Sequence, residues 1–223
     1  MKAEVTRDPG RARARAGFSL IEILVVIAII SLLATLGVRA ALNAREQGTV
    51  VKCRDNLHQM AQMMLVFHDT RNKGHWPQES GIRFLLTLHK VKELSGRNAE
   101  TFLCPGTEDT NDGGPSGEPG SSYEDWANID SGTISYAGRD QQGSPIKGSD
   151  LSAIVIAADD NEGRANHKHV TNYAYADGST DSFDISNSVQ GTELLSENPE
   201  LEKTGLPVGP DSPLELLRVL RVD

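Results

Sequence analysis

The order of apolar and polar positions divides the chain into a long apolar run, an amphipathic stretch and a polar, loop-rich remainder. From Phe18 to Val38 the sequence contains no proline and a single charged residue, Glu22. About 20 apolar residues at about 1.5 Å each match the thickness of a hydrocarbon core of about 30 Å. The pattern therefore predicts a membrane-spanning helix over residues 18–38.

The amphipathic stretch predicts that the same helix continues over residues 39–72. Apolar positions recur there mostly at steps of three and four, which is typical of one buried helix face. These positions are Leu42, Val50, Cys53, Leu57, Met60, Ala61, Met64 and Phe67. We expect this face to pack on a folded domain and the helix to end near residues 68–72, before Gly74 and Pro77.

The remainder up to residue 185 predicts one small globular domain of the α+β class. A shorter helix is expected over residues 80–94, and a polar surface loop follows between Pro105 and Ser122. Strand patterns occupy residues 133–136, 153–157, 172–176 and 180–183. The Asp177-Gly178 pair between the last two strands predicts a hairpin with a type I′ turn in a small antiparallel sheet.

Residues 186–223 predict a tail rather than a further domain. This segment is polar and punctuated by proline until residues 213–220, an apolar stretch that could dock as a last short helix. No internal repeat is apparent in the sequence.

The charge is distributed unevenly, which predicts how the chain lies across a membrane. The net charge is −9; residues 1–17 carry five basic and two acidic side chains, a balance of +3, so the remainder carries −12. A basic segment beside a spanning helix stays in the cytoplasm, and the acidic domain is then expected on the opposite side of the membrane. Nothing in the remainder is basic or aromatic-rich enough to predict a nucleic-acid partner.

Two cysteines are present, Cys53 and Cys104, too far apart for a Cys-x-x-Cys metal or redox motif. On the outer side of a membrane they could form a single disulfide. The alternative is two unrelated buried thiols, since Cys53 also fits the apolar face of the helix. The sequence leaves both interpretations open.

The N-terminal region resembles the class III signal of type IV prepilins and type II secretion pseudopilins. The resemblance is carried by the motif Gly17-Phe18-Ser19-Leu20-Ile21-Glu22, by the short basic leader before it and by the apolar helix after it. The resemblance covers about the first 55 residues. It implies cleavage between Gly17 and Phe18 by a prepilin peptidase at the cytoplasmic face of the bacterial inner membrane, with methylation of the new Phe18 amine. An ordinary signal peptide fits less well, because its apolar region runs about 7–15 residues and the cut comes after it.

Glu22 is the residue that predicts assembly. A carboxylate at membrane depth costs about 2.5 kcal/mol or more on insertion scales, so it is expected to have a partner. The resemblance implies that this partner is the Phe18 amine of a neighbouring subunit, and that the chain is a structural subunit of a pseudopilus or pilus-like filament built with other pilin-like subunits. Pilins of this family often carry a proline where this chain has Arg39, so a proline kink is not expected.

A second resemblance lies near the C-terminus. His167, nine intervening residues and Asp177-Gly178 are similar to a signature carried by a large group of bacterial prepilin-like proteins, in which Asn56-Leu57-His58-Gln59 and Cys104-Pro105 also have counterparts. His167 and Asp177 could hold a metal or the terminus of a partner. The simpler alternative is a hairpin turn whose histidine caps a loop by hydrogen bonding.

An oxygen-rich run of Asp159, Asp160, Asn161 and Glu162 follows the most apolar strand. Clustered oxygen ligands can bind calcium, and the resemblance adds that major pseudopilins use calcium in a C-terminal loop. The run lacks the full EF-hand spacing, and a solvated turn is the alternative. The predicted structural role requires no cofactor.

Catalysis is not predicted. The sequence contains no Gly-x-Ser-x-Gly elbow, no His-Glu-x-x-His word and no phosphate-binding glycine loop. Six histidines and 31 acidic residues make chance pairings of such groups common. The alternative function is a membrane-anchored periplasmic binding or hydrolytic domain that is exported through a prepilin-type signal.

Overall fold

The computed structural model describes residues 18–159, 166–167 and 169–223, with the backbone alone at Leu36 and Arg39. Contacts divide the chain into two compact units, Met1–Ala44 and Arg45–Asp223. The first helix, α1, runs over Leu20–Val66, and a π-helical turn continues it over Phe67–Arg71. The predicted long helix ending near residue 72 is confirmed.

In the first unit, the described side chains of residues 18–44 are all exposed. The exposed fractions of its large apolar side chains run from 46% at Val26 to 82% at Leu20. By length and composition the helix is able to cross a membrane. An apolar surface of this extent is stable only against lipid or other protein, because water disfavours contiguous exposed apolar area.

In the second unit, α1 buries one face. The predicted positions Cys53, Leu57, Met60 and Met64 are each 0% exposed. Against this face pack α2, Ile82–Lys90, and a 3-10 helix over Gly96–Phe102. The helix predicted over residues 80–94 is thus confirmed in its central part. Short 3-10 turns at Ser121–Tyr123 and Ser131–Thr133 interrupt the loop that follows.

Five strands form one antiparallel sheet in the order β4-β3-β2-β1-β5. They are β1 Tyr136–Arg139, β2 Val155–Asp159, β3 Val170–Tyr175, β4 Thr180–Asp184 and β5 Leu220–Arg221. The first strand begins three residues later than predicted, because the Asp130 side chain accepts a hydrogen bond from the Gly132 amide and holds residues 131–133 in a 3-10 turn. The long helix packed on a small antiparallel sheet confirms the predicted α+β, pilin-like fold.

The sheet is covered on both faces. Successive side chains of a strand point to opposite faces, so Tyr136 and Ile156 join the core with α1 and α2, whereas the adjacent Ala137 and Val155 join a second core. The second core is completed by the C-terminal segment through Leu201, Leu206, Leu214, Leu217 and Leu220.

Residues 186–223 are therefore a structural layer, and their description as a tail is wrong. They contain α3 Val189–Glu197, α4 Leu201–Thr204, a 3-10 turn at Glu215–Leu217 and β5. The last helix predicted over residues 213–220 is replaced by that single turn and a strand paired with β1. The pairing satisfies backbone groups that β1 would otherwise expose as a bare edge.

The Asp177-Gly178 hairpin is present, but its turn is not type I′. Only Gly178 has a positive φ, 87°, whereas type I′ requires two such residues. The Gly178 amide donates to the Tyr175 carbonyl and the Tyr175 amide donates to the Ser179 carbonyl. This pattern is a three-residue loop, in which a type I turn is followed by a glycine in the left-handed region.

Candidate functional site

The first candidate region is the beginning of α1, where Glu22 lies in the first helical turn. The Ser19 amide donates to Glu22 Oε2 at 3.4 Å, and the Glu22 amide donates to the Ser19 carbonyl at 3.0 Å. A carboxylate is favoured here because the first turn has free N–H groups and the positive end of the helix dipole. Phe18 is 78% exposed, and Gly17 lies outside the described residues.

The second candidate region is a group in the second unit that we call the cystine-histidine cluster: Cys53, Cys104, Asp159 and His167. Cys53 and Cys104 form a disulfide with a Cα–Cα distance of 5.2 Å. The disulfide interpretation is confirmed, and that of two separate thiols is wrong. The bond joins the buried face of α1 to the loop that follows the 3-10 helix Gly96–Phe102.

His167 is the centre of this cluster and is 3% exposed. Its Nε2 lies 3.5 Å from Cys104 Sγ and 3.7 Å from Asp159 Oδ2. Its Nδ1 lies 3.9 Å from Glu46 Oε1 on α1 and has no hydrogen-bond partner among the described residues. Burial lowers the pKa of His167, and the Glu46 carboxylate partly opposes this shift. The imidazole is therefore neutral near pH 7.

Asp159 ends β2 and is 1% exposed. Its Oδ2 accepts hydrogen bonds from the amide of Asn172 at 3.0 Å and from the Asn172 side chain at 2.9 Å. The same Asn172 Nδ2 reaches the Val50 carbonyl of α1 at 3.3 Å. Asp160, Asn161 and Glu162, the other calcium candidates, lie outside the described residues, so calcium binding stays a prediction.

Asn56 and His58, two residues of the Asn56-Leu57-His58-Gln59 motif, attach α1 to other elements. Asn56 Nδ2 donates to the Leu103 carbonyl at 2.9 Å and to the Tyr136 hydroxyl at 3.2 Å. Burial raises the pKa of Tyr136, and the nearby Asp159 raises it further. His58 Nδ1 lies 2.7 Å from the Gly178 carbonyl. Both contacts hold the helix in one register against the sheet.

His167 and Asp177, which the sequence motif pairs, have different partners. Asp177 is exposed, and its Oδ1 accepts from the amide and the hydroxyl of Ser179 at 2.9 and 2.6 Å. These hydrogen bonds lower the pKa of the Asp177 carboxyl. The turn interpretation fits Asp177. His167 contacts the disulfide and two acids instead of capping a loop.

Two open clefts adjoin the cystine-histidine cluster. One, of about 550 Å³, is lined by Lys52, Asn56, Arg97 and Cys104 among others. The other, of about 440 Å³, is lined by Glu46, His167, His169 and Asp184 among others. Among the described residues, one group of three metal-ligating side chains meets, Cys53, Cys104 and His167, with ligand atoms all within 4.8 Å of one another.

Sequence reasoning missed Glu46 and Asn172. Glu46 belongs to a polar part of the helix with no distinctive spacing, and Asn172 lies within a predicted strand. The one signal that the sequence offers is the amide side chain of Asn172 inside a predicted strand, because an amide that becomes buried there requires a hydrogen-bond partner. In the sequence its partner, Asp159, indicates only a calcium ligand.

The chain matches a known protein family in the first candidate region, around the beginning of α1. The family described as prokaryotic N-terminal methylation motif matches residues 12–38. No curated protein and no solved structure matches the chain. The matched segment contains Gly17, Phe18 and Glu22, and supports a prepilin-type signal and membrane anchoring. A signal of this kind implies processing by a peptidase and assembly with pilin-like subunits.

Proposed function

We propose that the mature chain begins at Phe18 and is a structural subunit of a type II secretion pseudopilus or a type IV pilus-like filament. The observation that carries this proposal is the position of Glu22. It is an acidic residue in the first turn of an apolar helix, within a segment that matches the methylation motif. Cleavage after Gly17 would create a cationic amine four residues before this carboxylate.

The Phe18 amine of one copy then pairs with Glu22 of a neighbour displaced along the filament axis. An isolated carboxylate among lipid chains is unfavourable, and an ion pair with an adjacent ammonium offsets part of that cost. Because each partner has one position along the helix, the pair also determines the axial register between copies. The partners proposed are other pilin-like subunits and a prepilin peptidase.

The second unit is proposed to be a non-catalytic domain on the periplasmic or extracellular side of the inner membrane. Its polar groups attach α1 to the loop after the 3-10 helix Gly96–Phe102, through the disulfide and the hydrogen bond from Asn56 to the Leu103 carbonyl, and to the β3–β4 hairpin, through His58 and the Gly178 carbonyl. These contacts keep the part of α1 that belongs to the second unit in one position within that unit. The proposal requires no cofactor.

The test uses the full chain with a prepilin peptidase and an assembly system, and a photo-crosslinking residue at Leu24. We expect Glu22→Ala to be cleaved and inserted normally, because the signal is unchanged. The yield of crosslinked oligomers and sheared filaments should fall at least about tenfold, which corresponds to a loss of about 1.4 kcal/mol in the free energy of association. Glu22→Asp is expected to retain part of the assembly. Ser31→Ala, in the same exposed segment, is the matched control and should assemble like the native chain.

Normal filament yield from Glu22→Ala would contradict the ion pair, and N-terminal sequencing that starts elsewhere than Phe18 would contradict the signal. A native chain that stays monomeric in its own membrane would favour an anchored stand-alone domain.

Calcium binding at residues 159–162 is proposed as an accessory property of this domain. The described ligand, Asp159, already accepts two hydrogen bonds from Asn172, so calcium would have to use its remaining oxygen capacity. Calorimetric titration of the native chain should show one site that Asp160→Ala removes. Binding unchanged by Asp160→Ala would place calcium elsewhere.

A further inference from the structure

We propose that the chain with its disulfide reduced binds one Zn²⁺ through Cys53 Sγ, Cys104 Sγ and His167 Nε2. These three ligand atoms lie within 4.8 Å of one another, and the sulfur of Cys104 is 3.5 Å from the histidine nitrogen. In a tetrahedral site with Zn–S of about 2.3 Å and Zn–N of about 2.0–2.1 Å, sulfur and nitrogen ligands are about 3.6 Å apart. One edge of the tetrahedron is therefore already present.

Reduction of the disulfide makes a second edge of the tetrahedron possible, the one between the two sulfur atoms. A dithiol gives two electrons and two protons to the Cys53–Cys104 bond, the S–S bond breaks, and the dithiol becomes a disulfide. The two sulfurs then separate, with Cys104 moving towards the cleft of about 550 Å³ that it lines. Zn²⁺ displaces one proton from each thiol, because the thiolate is the form that binds metal.

The surroundings of His167 support metal binding at Nε2. A metal-bound histidine usually donates its other ring N–H to a carboxylate, which fixes the tautomer. His167 Nδ1 is fully buried without a hydrogen-bond partner among the described residues, and Glu46 Oε1 lies 3.9 Å away. With zinc at Nε2, the proton stays on Nδ1 and faces Glu46.

The fourth position of the metal lies beside Asp159, whose Oδ2 is 3.7 Å from His167 Nε2. Carboxylate oxygen is an ordinary zinc ligand at about 2.0–2.2 Å. A path for the ion exists because Cys104 lines the cleft of about 550 Å³ and His167 lines the cleft of about 440 Å³. The site thus has two sulfur ligands, one nitrogen ligand, an adjacent acid and an entrance.

The consequence is a second way to attach α1 to the loop. In an oxidising compartment the disulfide makes this link, and in the reduced chain zinc makes it through the same two sulfurs and His167. This inference is independent of filament assembly, and either can fail without the other.

The experiment uses the untagged full chain in detergent, oxidised or reduced with a water-soluble phosphine, and cobalt and zinc ions as probes. We expect the reduced chain to show a near-ultraviolet thiolate-to-cobalt charge-transfer band and tetrahedral d–d bands. After desalting it should retain about one zinc per chain, and the oxidised chain should retain less than a tenth of that amount.

Matched variants identify the ligands. His167→Ala should weaken cobalt binding by at least about tenfold, and Glu46→Gln, a positioning residue, by about tenfold with the same d–d spectrum. His169→Ala is the control and should bind like the native chain. If His167→Ala fails to fold, zinc-edge absorption spectroscopy of the native chain decides, with two sulfur ligands and at least one imidazole expected.

Three results would overturn the inference. They are a reduced native chain without the thiolate-to-cobalt band, equal zinc content in the Cys53→Ser/Cys104→Ser double variant, and a zinc-edge spectrum without sulfur ligands.

Discussion

The same helix, α1, contributes to two units in which its side chains have opposite surroundings. Between residues 20 and 44 every described side chain is exposed, Leu42 among them at 60%. From residue 45 onward one face is buried, and Leu57 is 0% exposed. The apolar content of the first unit is therefore not explained by packing within the chain, whereas that of the second is.

Polar groups in the two units differ in the same way. Glu22 has a helix-end amide as its neighbour and otherwise stands in an apolar segment. His167 and Asp159 are buried among a disulfide, an amide and a second acid. The charge of Glu22 points to a partner outside the chain, whereas Asp159 in the second unit accepts its hydrogen bonds from Asn172 within the fold. A variant in one unit is therefore expected to leave the other unit unchanged.

The largest effect is expected at Gly17. Gly17→Leu should abolish cleavage, because a bulky side chain next to the scissile bond obstructs the peptidase, so that only precursor accumulates. Immunoblots of cells that express the peptidase measure this, with Ala14→Leu as the control that is still processed. Mature protein at native levels from Gly17→Leu would contradict the assigned junction.

Removal of the disulfide should affect the second unit alone. The bond closes a loop of 51 residues, for which the chain-entropy relation gives about 4 kcal/mol. We expect Cys53→Ala/Cys104→Ala to lower the free energy of unfolding by about that amount, measured by urea titration with a chelator present. Trp76 and Trp126, both in the second unit, report the transition by fluorescence. Cleavage at Gly17 should be unchanged.

A pair of leucines tests the comparison within one helix. Leu57→Ala should cost about 2–5 kcal/mol in the same titration, because it leaves a cavity in the core. Leu42→Ala, at an exposed position of the first unit, should change this free energy by less than about 0.5 kcal/mol. Equal effects of the two variants would contradict the division of α1.

The hairpin offers a smaller test. Gly178 has a φ of 87°, and an added Cβ would lie 3.2 Å from Gln62 Cγ on α1. Gly178→Ala should destabilise the second unit by about 1–2 kcal/mol, the cost of a non-glycine residue in the left-handed region. Gly132→Ala is the control, since its φ is not in that region and an added Cβ there is 4.0 Å from Asp130. Equal stability of both variants would count against this contact.

The smallest effect concerns pH. Because the folded-state pKa of His167 is below the ordinary value of about 6.5, the unfolded chain takes up the proton first. The contribution of neutral His167 to the free energy of unfolding is complete above about pH 6.5. It decreases as the pH falls from there to the folded-state pKa, by about 1.4 kcal/mol for each pH unit between the two pKa values. His167→Gln should flatten this part of the stability profile. A profile that rises on acidification would show that Glu46 and Asp159 outweigh burial.

Several features could be predicted from the sequence because each is local. A helix of this length follows from apolar residues without proline, its buried face from steps of three and four, and the hairpin from a glycine between two strand patterns. The turn type was predicted wrongly, because the Asp177 side chain binds Ser179 and keeps the turn in a type I conformation.

Other features depended on residues far apart in the chain. The apolar positions of residues 201–220 gave no indication that they would cover the second face of the sheet, since that depends on β5 pairing with β1 across about 80 residues. Cys53, Cys104 and His167 likewise come from a helix, a loop and the approach to a strand. No spacing rule connects them.

By itself the sequence determined the first unit, an apolar helix with a single acidic residue and a recognisable motif, because both features are local and need no tertiary contacts. The tertiary structure alone decided the second unit's chemistry. Burial and long-range contacts joined the two cysteines, lowered the pKa of His167 and turned the expected tail into the second layer of the core.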